Sequence, residues 1–81
     1  MKLEFTARAR KDFADLPPQL KARVRKQFAL LRQNLRHPSL QAKKYDEGRD
    51  VWQGRVNRDH RFYFQIVGDS YRILAVIPHP K

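Results

Sequence analysis

The stretch from Val51 to Ile66 constrains the fold most, because its apolar residues alternate with cationic and polar ones. Strand side chains point to opposite faces in turn, so this alternation predicts two strands joined by a short polar turn at Asn57–His60. The residues that share the predicted packed face are Trp52, Gly54, Val56, Phe62, Phe64 and Ile66. The residues that face the other way are Gln53, Arg55, Arg61, Tyr63 and Gln65. A packed face backed by an arginine-rich face is typical of a sheet that binds anions.

The N-terminal part of the chain predicts one short strand and two helices. Lys2–Phe5 alternates and predicts the strand. Thr6 can cap a short helix that ends before Pro17, because proline disfavours helical geometry in the residue before it. A longer helix is predicted from Pro18 to Arg36, where one apolar stripe consists of Leu20, Val24, Phe28, Leu31 and Leu35.

The C-terminal part predicts a meander of three strands. Leu40–Asp50 reads as a polar connection, and the alternating pair of strands follows it. Gly68 and Asp69 favour a tight hairpin turn, because glycine accepts positive φ. Tyr71–Ile77 is apolar at nearly every position, as in a strand that is buried on both faces. We therefore expect a single α+β domain over residues 1–81, with about four mostly antiparallel strands, the order β-α-α-β-β-β, and both helices on one face.

The charge of the chain indicates an anionic partner. A formal net charge of +10 over 81 residues favours nucleic acid or an acidic protein. The sequence contains no cysteine, which excludes a disulfide scaffold, a thiolate zinc site and a cysteine nucleophile. No apolar run approaches the ~20 residues that a membrane helix needs, so we expect a cytoplasmic protein that binds no membrane.

The longer helix carries a cationic stripe beside its apolar one, formed by Lys21, Arg25, Arg32 and Arg36. One interpretation is a solvated border whose long side chains cover the edge of the core. The other is a docking surface for an acidic partner. Leu30 falls almost opposite the apolar stripe at ~100° per residue, and an exposed leucine there would be a contact point for that partner.

Several motifs in order resemble the RelE/ParE superfamily of toxins from bacterial toxin–antitoxin systems. The resemblance covers essentially the whole chain. Its motifs are Phe13 with Leu16-Pro17, the basic second helix, Trp52–Val56, Asp59–Phe64, Gly68–Leu74, and a histidine just past the last strand.

The resemblance implies a toxin that cuts mRNA on the ribosome without a metal or another cofactor. In such enzymes the ribose 2′-hydroxyl attacks the adjacent phosphate and leaves a cyclic phosphate. The catalytic residues implied here are Arg61, Arg55, His79 and Lys44. Arginine can bind phosphate with two parallel hydrogen bonds, and neighbouring cations should lower the pKa of a histidine or lysine that acts as a base. The residues expected to contact RNA are Lys43, Arg58, Tyr63, Arg72 and Lys81.

The resemblance also implies an acidic antitoxin that wraps the helices, with the toxin monomeric when it is free. The expected antitoxin contacts are Lys21, Arg25, Leu30 and Arg32. Pro80 stands where related enzymes carry an aromatic residue, which leaves the general acid unassigned. Two other functions therefore stay open: a ParE-like inhibitor of DNA gyrase without catalytic residues, and an RNA-binding relative without toxicity.

Overall fold

Two helices cover one face of a five-stranded sheet in the computed structural model, which describes residues 1–79. The strands are β1 (Lys2–Phe5), β2 (Lys43–Asp46), β3 (Val51–Arg55), β4 (His60–Val67) and β5 (Ser70–Pro78). The helices are α1 (Ala7–Ala14) and α2 (Pro18–Gln33), and a short 3-10 helix covers Pro38–Leu40. The predicted α+β class and the placement of the helices are confirmed. Lys81, an expected RNA contact, lies outside the described residues.

The strand order across the sheet is β1-β5-β4-β3-β2. β1 runs parallel to β5, and every other neighbouring pair is antiparallel. The two helices carry the chain from β1 at one edge of the sheet to β2 at the other edge, and the strands that follow bring β5 back beside β1. The β3–β4–β5 meander is therefore at the centre of the sheet.

The ends of the helices follow local chemistry. The Thr6 hydroxyl accepts a hydrogen bond from the Ala9 N–H at 3.1 Å, so the predicted cap of α1 is confirmed. α2 ends at Gln33 and not at the predicted Arg36, since Asn34 is extended with φ −161°. The Asn34 side-chain oxygen accepts from the Arg36 N–H at 3.0 Å, a local bond that competes with helix continuation.

A fifth strand, β2, replaces part of the predicted polar connection. Its sequence, Lys-Lys-Tyr-Asp, has no apolar alternation, because β2 pairs only with β3 and lies at the edge of the sheet. Leu40, which is completely buried, anchors the chain in the core just before the strand. Lysine is common on edge strands, where its charge discourages pairing with another chain.

The packed face of the sheet holds a connected group of aromatic rings. The Phe28 ring from α2 meets the Phe62 ring edge-on at 5.2 Å, and Phe62 stacks on Phe64 at 5.5 Å. A Cβ on Gly54 would lie 2.2 Å from the nearest carbon of the Phe62 ring. The glycine therefore leaves the space that this ring fills, and the predicted packed face is confirmed.

α1 completes the edge of β5 beyond the end of β1. The Thr6 hydroxyl donates to the Leu74 carbonyl at 3.0 Å, and the Asp12 carboxylate accepts from the Val76 N–H at 3.0 Å. These two side chains form hydrogen bonds with backbone groups of β5 that lie beyond the end of β1. Beyond the end of β1, the outer edge of β5 is thus hydrogen-bonded by side chains of α1 and its cap instead of by a strand.

The exposure predicted for Leu30 is wrong. Leu30 is half-buried and packs against the main core. It lies three residues after the buried Gln27, on the side of α2 against which the 3-10 helix packs through Ser39. The chain that follows α2 folds back along this side, which helical periodicity alone does not reveal. Neither helix of residues 1–79 is long and apolar enough to cross a membrane.

Candidate functional site

The face of the sheet away from the helices, called the open face below, carries a small apolar cluster of its own. Val51, Tyr63 and Ala75 are buried there, and Leu74 and Ile77 pack against them. The pairing between β4 and β5 skips Leu74, because Tyr63 pairs with Ala75 while Phe64 pairs with Ile73. The open face is therefore not uniformly solvated: it has an apolar floor between polar ends.

One end of the open face carries an arginine pair. The strand register places Arg55 of β3 directly opposite Arg61 of β4, and Arg61 opposite Ile77 of β5. Residues directly opposite in a sheet share a face, so the predicted juxtaposition of the two arginines is confirmed. Two guanidinium groups on neighbouring strands concentrate positive charge at this end.

The Arg61 guanidinium is held by the turn between β3 and β4. Its Nη1 donates to the Asn57 carbonyl at 2.6 Å, the His60 carbonyl at 2.9 Å and the Arg58 carbonyl at 3.4 Å. Nε and Nη2 make no hydrogen bond within residues 1–79. One nitrogen thus anchors the group, and the other two can donate to a ligand without losing a partner in the fold.

Two side chains of α2 hold the same turn from the packed side. Gln27 Nε2 donates to the Arg55 carbonyl at 2.8 Å, and Arg23 Nε donates to the Val56 carbonyl at 2.8 Å. Gln27 is completely buried and also bonds to the backbone and hydroxyl of Ser39. Sequence reasoning missed both residues, although a glutamine between Val24 and Leu31 in an apolar stripe is a signal for a buried polar network.

His79 lies beside this turn because its backbone N–H donates to the Asp59 carbonyl at 2.7 Å. Its side chain is exposed and borders an opening together with Arg58, Asp59 and Pro78. Every carbonyl from Arg55 to His60 accepts a hydrogen bond. The structure therefore brings the arginine pair, Arg58 and His79 together around one firmly held turn.

Lys44 lies away from this group. It pairs with Trp52 across β2 and β3, and its ammonium group lies 5.3 Å from the centroid of the Trp52 ring, on the side of the packed face. It forms ion pairs with Asp50 and with Glu47. The hydrogen bond to Asp50 raises the pKa of Lys44, so the lowered pKa expected for a base is wrong. Lys44 keeps its proton at neutral pH.

The other expected RNA contacts are spread over the sheet. Lys43 is opposite Gln53, which places it on the open face at the β2 edge. Tyr63 is buried in the middle of that face, and burial raises the pKa of its phenol, so the group stays neutral. Arg72 pairs with Gln65, which lies four residues, roughly 13 Å, along β4 from Arg61. Arg72 also meets Glu4 at 3.9 Å. The structure does not bring Arg72 to the turn.

Metal-ligating side chains do not gather in the described part of the chain. Residues 1–79 contain no group of three or more His, Asp or Glu side chains placed to hold a metal ion. The open face is distinguished chemically by its cationic end, where Arg55 and Arg61 are opposite each other.

The model of the family described as ParE toxin of type II toxin-antitoxin system, parDE, matches residues 3–80. The chain belongs to this family. The resemblance to RelE/ParE toxins, expected from the motifs, is confirmed. No curated protein matches the sequence.

Solved structures of related toxins share the fold of this ParE-family chain. The YoeB/ParE toxin from Agrobacterium tumefaciens superposes with a TM-score of 0.83 at 14% identity, covering 99% of this chain and 100% of that one. The intact RelBE toxin–antitoxin complex of E. coli gives 0.75 at 14% identity, covering 99% and 98%. The RelBE2 toxin–antitoxin complex of Mycobacterium tuberculosis gives 0.74 at 26% identity, covering 96% of both chains.

Proposed function

We propose that this ParE-family toxin is an endoribonuclease that cuts mRNA on the ribosome. The observation that carries the proposal is the anchored guanidinium of Arg61, with Arg55 opposite it and His79 at the same turn. A cationic group held in place before the ligand arrives stabilises developing negative charge without reorganising at the moment of reaction. The fold itself is shared by toxins of more than one kind.

The proposed reaction is attack of the ribose 2′-oxygen on the adjacent phosphorus. The bond between the 2′-oxygen and phosphorus forms, the bond to the 5′-oxygen breaks, one proton leaves the 2′-hydroxyl and one reaches the 5′-oxygen. The free N–H groups of Arg61 would donate to the phosphate oxygens as charge develops on them, and Arg55 would add charge nearby. His79 is suited to exchange the proton, because its exposed imidazole borders the same turn and can both donate and accept a hydrogen bond. The raised pKa of Lys44 argues against that residue as the base.

Replacing Arg61 tests this proposal. We expect Arg61→Ala to lose growth arrest on induced expression and to lower the cleavage rate by roughly 10²–10³-fold, the effect of removing one stabilising donor. Arg72→Ala is the matched control, because it removes an arginine from β5 far from the turn. Mapped 5′ ends within translated codons would report cleavage.

Because Arg61 also holds the turn, Arg61→Lys and a thermal unfolding curve separate loss of chemistry from loss of fold. Full toxicity of Arg61→Ala would refute the assignment.

We infer that an acidic antitoxin binds the helices of this toxin. Relatives with the same fold are seen as toxin–antitoxin complexes, and the net charge of +10 favours an acidic partner. A cavity of about 340 Å³ between α1 and α2 offers an apolar anchor point, lined chiefly by the rings of Phe5, Phe13 and Phe28. Lys21 and Arg25 lie over the Phe13 ring at 5.9 and 5.2 Å, so two expected contacts border this groove.

Charge reversal tests the antitoxin surface. We expect Lys21→Glu with Arg25→Glu to weaken the complex with the cognate antitoxin, measured by calorimetry at low salt. Arg32→Glu reports on the far end of α2, where Arg32 Nε is 3.5 Å from the Met1 carbonyl. Arg58→Glu, at the sheet turn, is the control that should leave this affinity unchanged. Equal affinity of the double variant and the native toxin would exclude the groove as the antitoxin site.

Light scattering would test whether the free toxin is monomeric.

A second candidate function is inhibition of DNA gyrase by binding alone. The matching family model is named for ParE toxins, and Pro80 stands where related nucleases carry an aromatic residue. This candidate predicts cleaved DNA complexes and an SOS response on induction, without new mRNA ends. An endoribonuclease gives new mRNA ends on induction, without cleaved DNA complexes or an SOS response.

A further inference from the structure

A cavity of about 230 Å³ opens on the open face beside the arginine pair. Its floor is formed by the buried cluster of Val51, Tyr63 and Ala75, which gives it an apolar base. Two arginines from different elements, Arg8 of α1 and Arg49 of the β2–β3 loop, also line it. Apart from the RNA contact expected at Tyr63, none of the roles proposed above uses this cavity.

Tyr45 forms an aromatic wall of the cavity. It lies at the irregularity in β2 where the pairing with β3 shifts between Lys44 and Asp46. Its ring contacts the Tyr63 ring edge-on, with centroids 4.9 Å apart and an angle of 64° between the planes. Tyr63 is 7% exposed, whereas Tyr45 is 59% exposed. A tyrosine that served only packing would bury more of its ring, so the free side of Tyr45 is available to a flat apolar partner.

The charge around the cavity favours an anionic partner. The Arg8 side chain is 65% exposed, although its Nε lies 3.5 Å from the Asp12 carboxylate. Arg49 is also exposed, in the loop between β2 and β3. Asp46 also lines the cavity and accepts the Arg49 backbone N–H at 3.2 Å. A phosphate without a base would lie against the apolar floor, which does not favour an anion. A nucleotide brings both a flat ring for the floor and a phosphate for the rim.

The distance to the arginine pair matches a neighbouring nucleotide. Tyr63 follows Arg61 by two residues on the same face of β4, a separation of about 6.7 Å along the strand. That is about the length of one nucleotide in an extended single strand. A single strand of RNA whose phosphate lies at Arg61 can therefore place the next base over Tyr63 and against Tyr45.

We propose that this cavity binds one unpaired base of single-stranded RNA, stacked on Tyr45, while the adjacent phosphate lies at Arg61. The ligand class rests on the proposed function, and the site itself rests on the aromatic wall, the apolar floor and the arginine rim. Tyr45 is then a residue that selects unpaired over paired RNA, because a base inside a duplex cannot enter the cavity.

Binding of a labelled 2′-O-methyl oligoadenylate, which cannot be cleaved by 2′-oxygen attack, tests the site by fluorescence anisotropy at low salt. We expect Tyr45→Ala and Tyr45→Leu to weaken binding roughly 5- to 100-fold, the usual effect of losing one stacked base, and Tyr45→Phe to bind about as the native toxin does. An oligomer that lacks one base should bind the native toxin more weakly and should bind Tyr45→Ala with little further loss. Because Tyr45 is exposed, these variants should keep the native unfolding temperature.

Equal binding of Tyr45→Ala and the native toxin would overturn the proposal, and so would a loss of antitoxin affinity in place of RNA affinity. Failure of the proposed nuclease function looks different. In that case the native toxin produces no mRNA ends, yet binding of the oligomer still depends on the base and on Tyr45.

Discussion

The two faces of one sheet differ in how their side chains fill space. On the packed face, Phe62 and Phe64 are completely buried and contact rings from α2 and from each other. On the open face, the residues that alternate with them in sequence differ: Arg61 borders a cationic turn and Tyr63 borders a cavity. The same backbone therefore supplies stability on one side and binding chemistry on the other, because strand side chains alternate between faces.

The faces are not independent, since α2 reaches through to the turn that carries the arginine pair. Gln27 and Arg23, one helical turn apart, donate to the carbonyls of Arg55 and Val56. A helix that packs the core thus also holds the polar end of the open face. Preorganised groups are most effective when a rigid element supports them.

The largest expected effect comes from the packed face. Phe62→Ala should lower the free energy of unfolding by about 3–5 kcal/mol, because it opens a cavity among rings that no neighbour can fill. Val67→Ala in the same strand is the control, since Val67 is exposed and should change stability by less than about 0.5 kcal/mol. Urea unfolding followed by circular dichroism measures both. Similar losses for the two variants would remove the distinction between the faces.

An intermediate effect is expected where the faces are joined. Gln27→Leu should lower the free energy of unfolding by about 1–3 kcal/mol, because it leaves the Arg55 carbonyl and the Ser39 groups without their buried partner. Hydrogen exchange at the β3–β4 turn should also become faster. Gln33→Leu, at the exposed end of α2, is the control. Unchanged exchange at the turn would show that α2 does not hold it.

The smallest effect is expected at Lys44, whose charges lie near solvent. The folded pKa of Lys44 is above its value in the unfolded chain, so its pair with Asp50 stabilises the fold at neutral pH. That contribution is fully present below the unfolded pKa and is lost as the pH rises through the folded pKa. The difference in urea midpoint between native toxin and Lys44→Met should therefore shrink under strongly alkaline conditions. A difference that grows with pH would contradict the raised pKa.

Local patterns predicted most of the fold. The alternation from Val51 to Ile66 assigned the two faces correctly, and Thr6 caps α1 as expected. The strand β2 was missed because an edge strand with one partner needs no apolar alternation. The end of α2 at Gln33 is accompanied by an Asn34 side-chain bond to the Arg36 N–H, which competes with continuation of the helix.

The candidate site was less accessible to sequence reasoning. The juxtaposition of Arg55 and Arg61 followed from alternation across a short turn. The sequence did not reveal the partner of Lys44, because Asp50 approaches it only through the β2–β3 loop. The contact with Asp50 raises the pKa of Lys44, whereas a lowered pKa was expected. Tyr45 was missed because its importance comes from the ring of Tyr63 and from arginines of two other segments.

By itself, the sequence determined the class of the fold, the faces of the central strands and the cationic character that calls for an anionic partner. These properties depend on the period of the side chains and on composition, which are local or additive. Only the tertiary structure decided that Arg61 is anchored by its own turn, that Gln27 supports that turn from the core, and that Tyr45 borders a cavity. Those properties depend on strand register and on helix placement, which bring together residues distant in the chain.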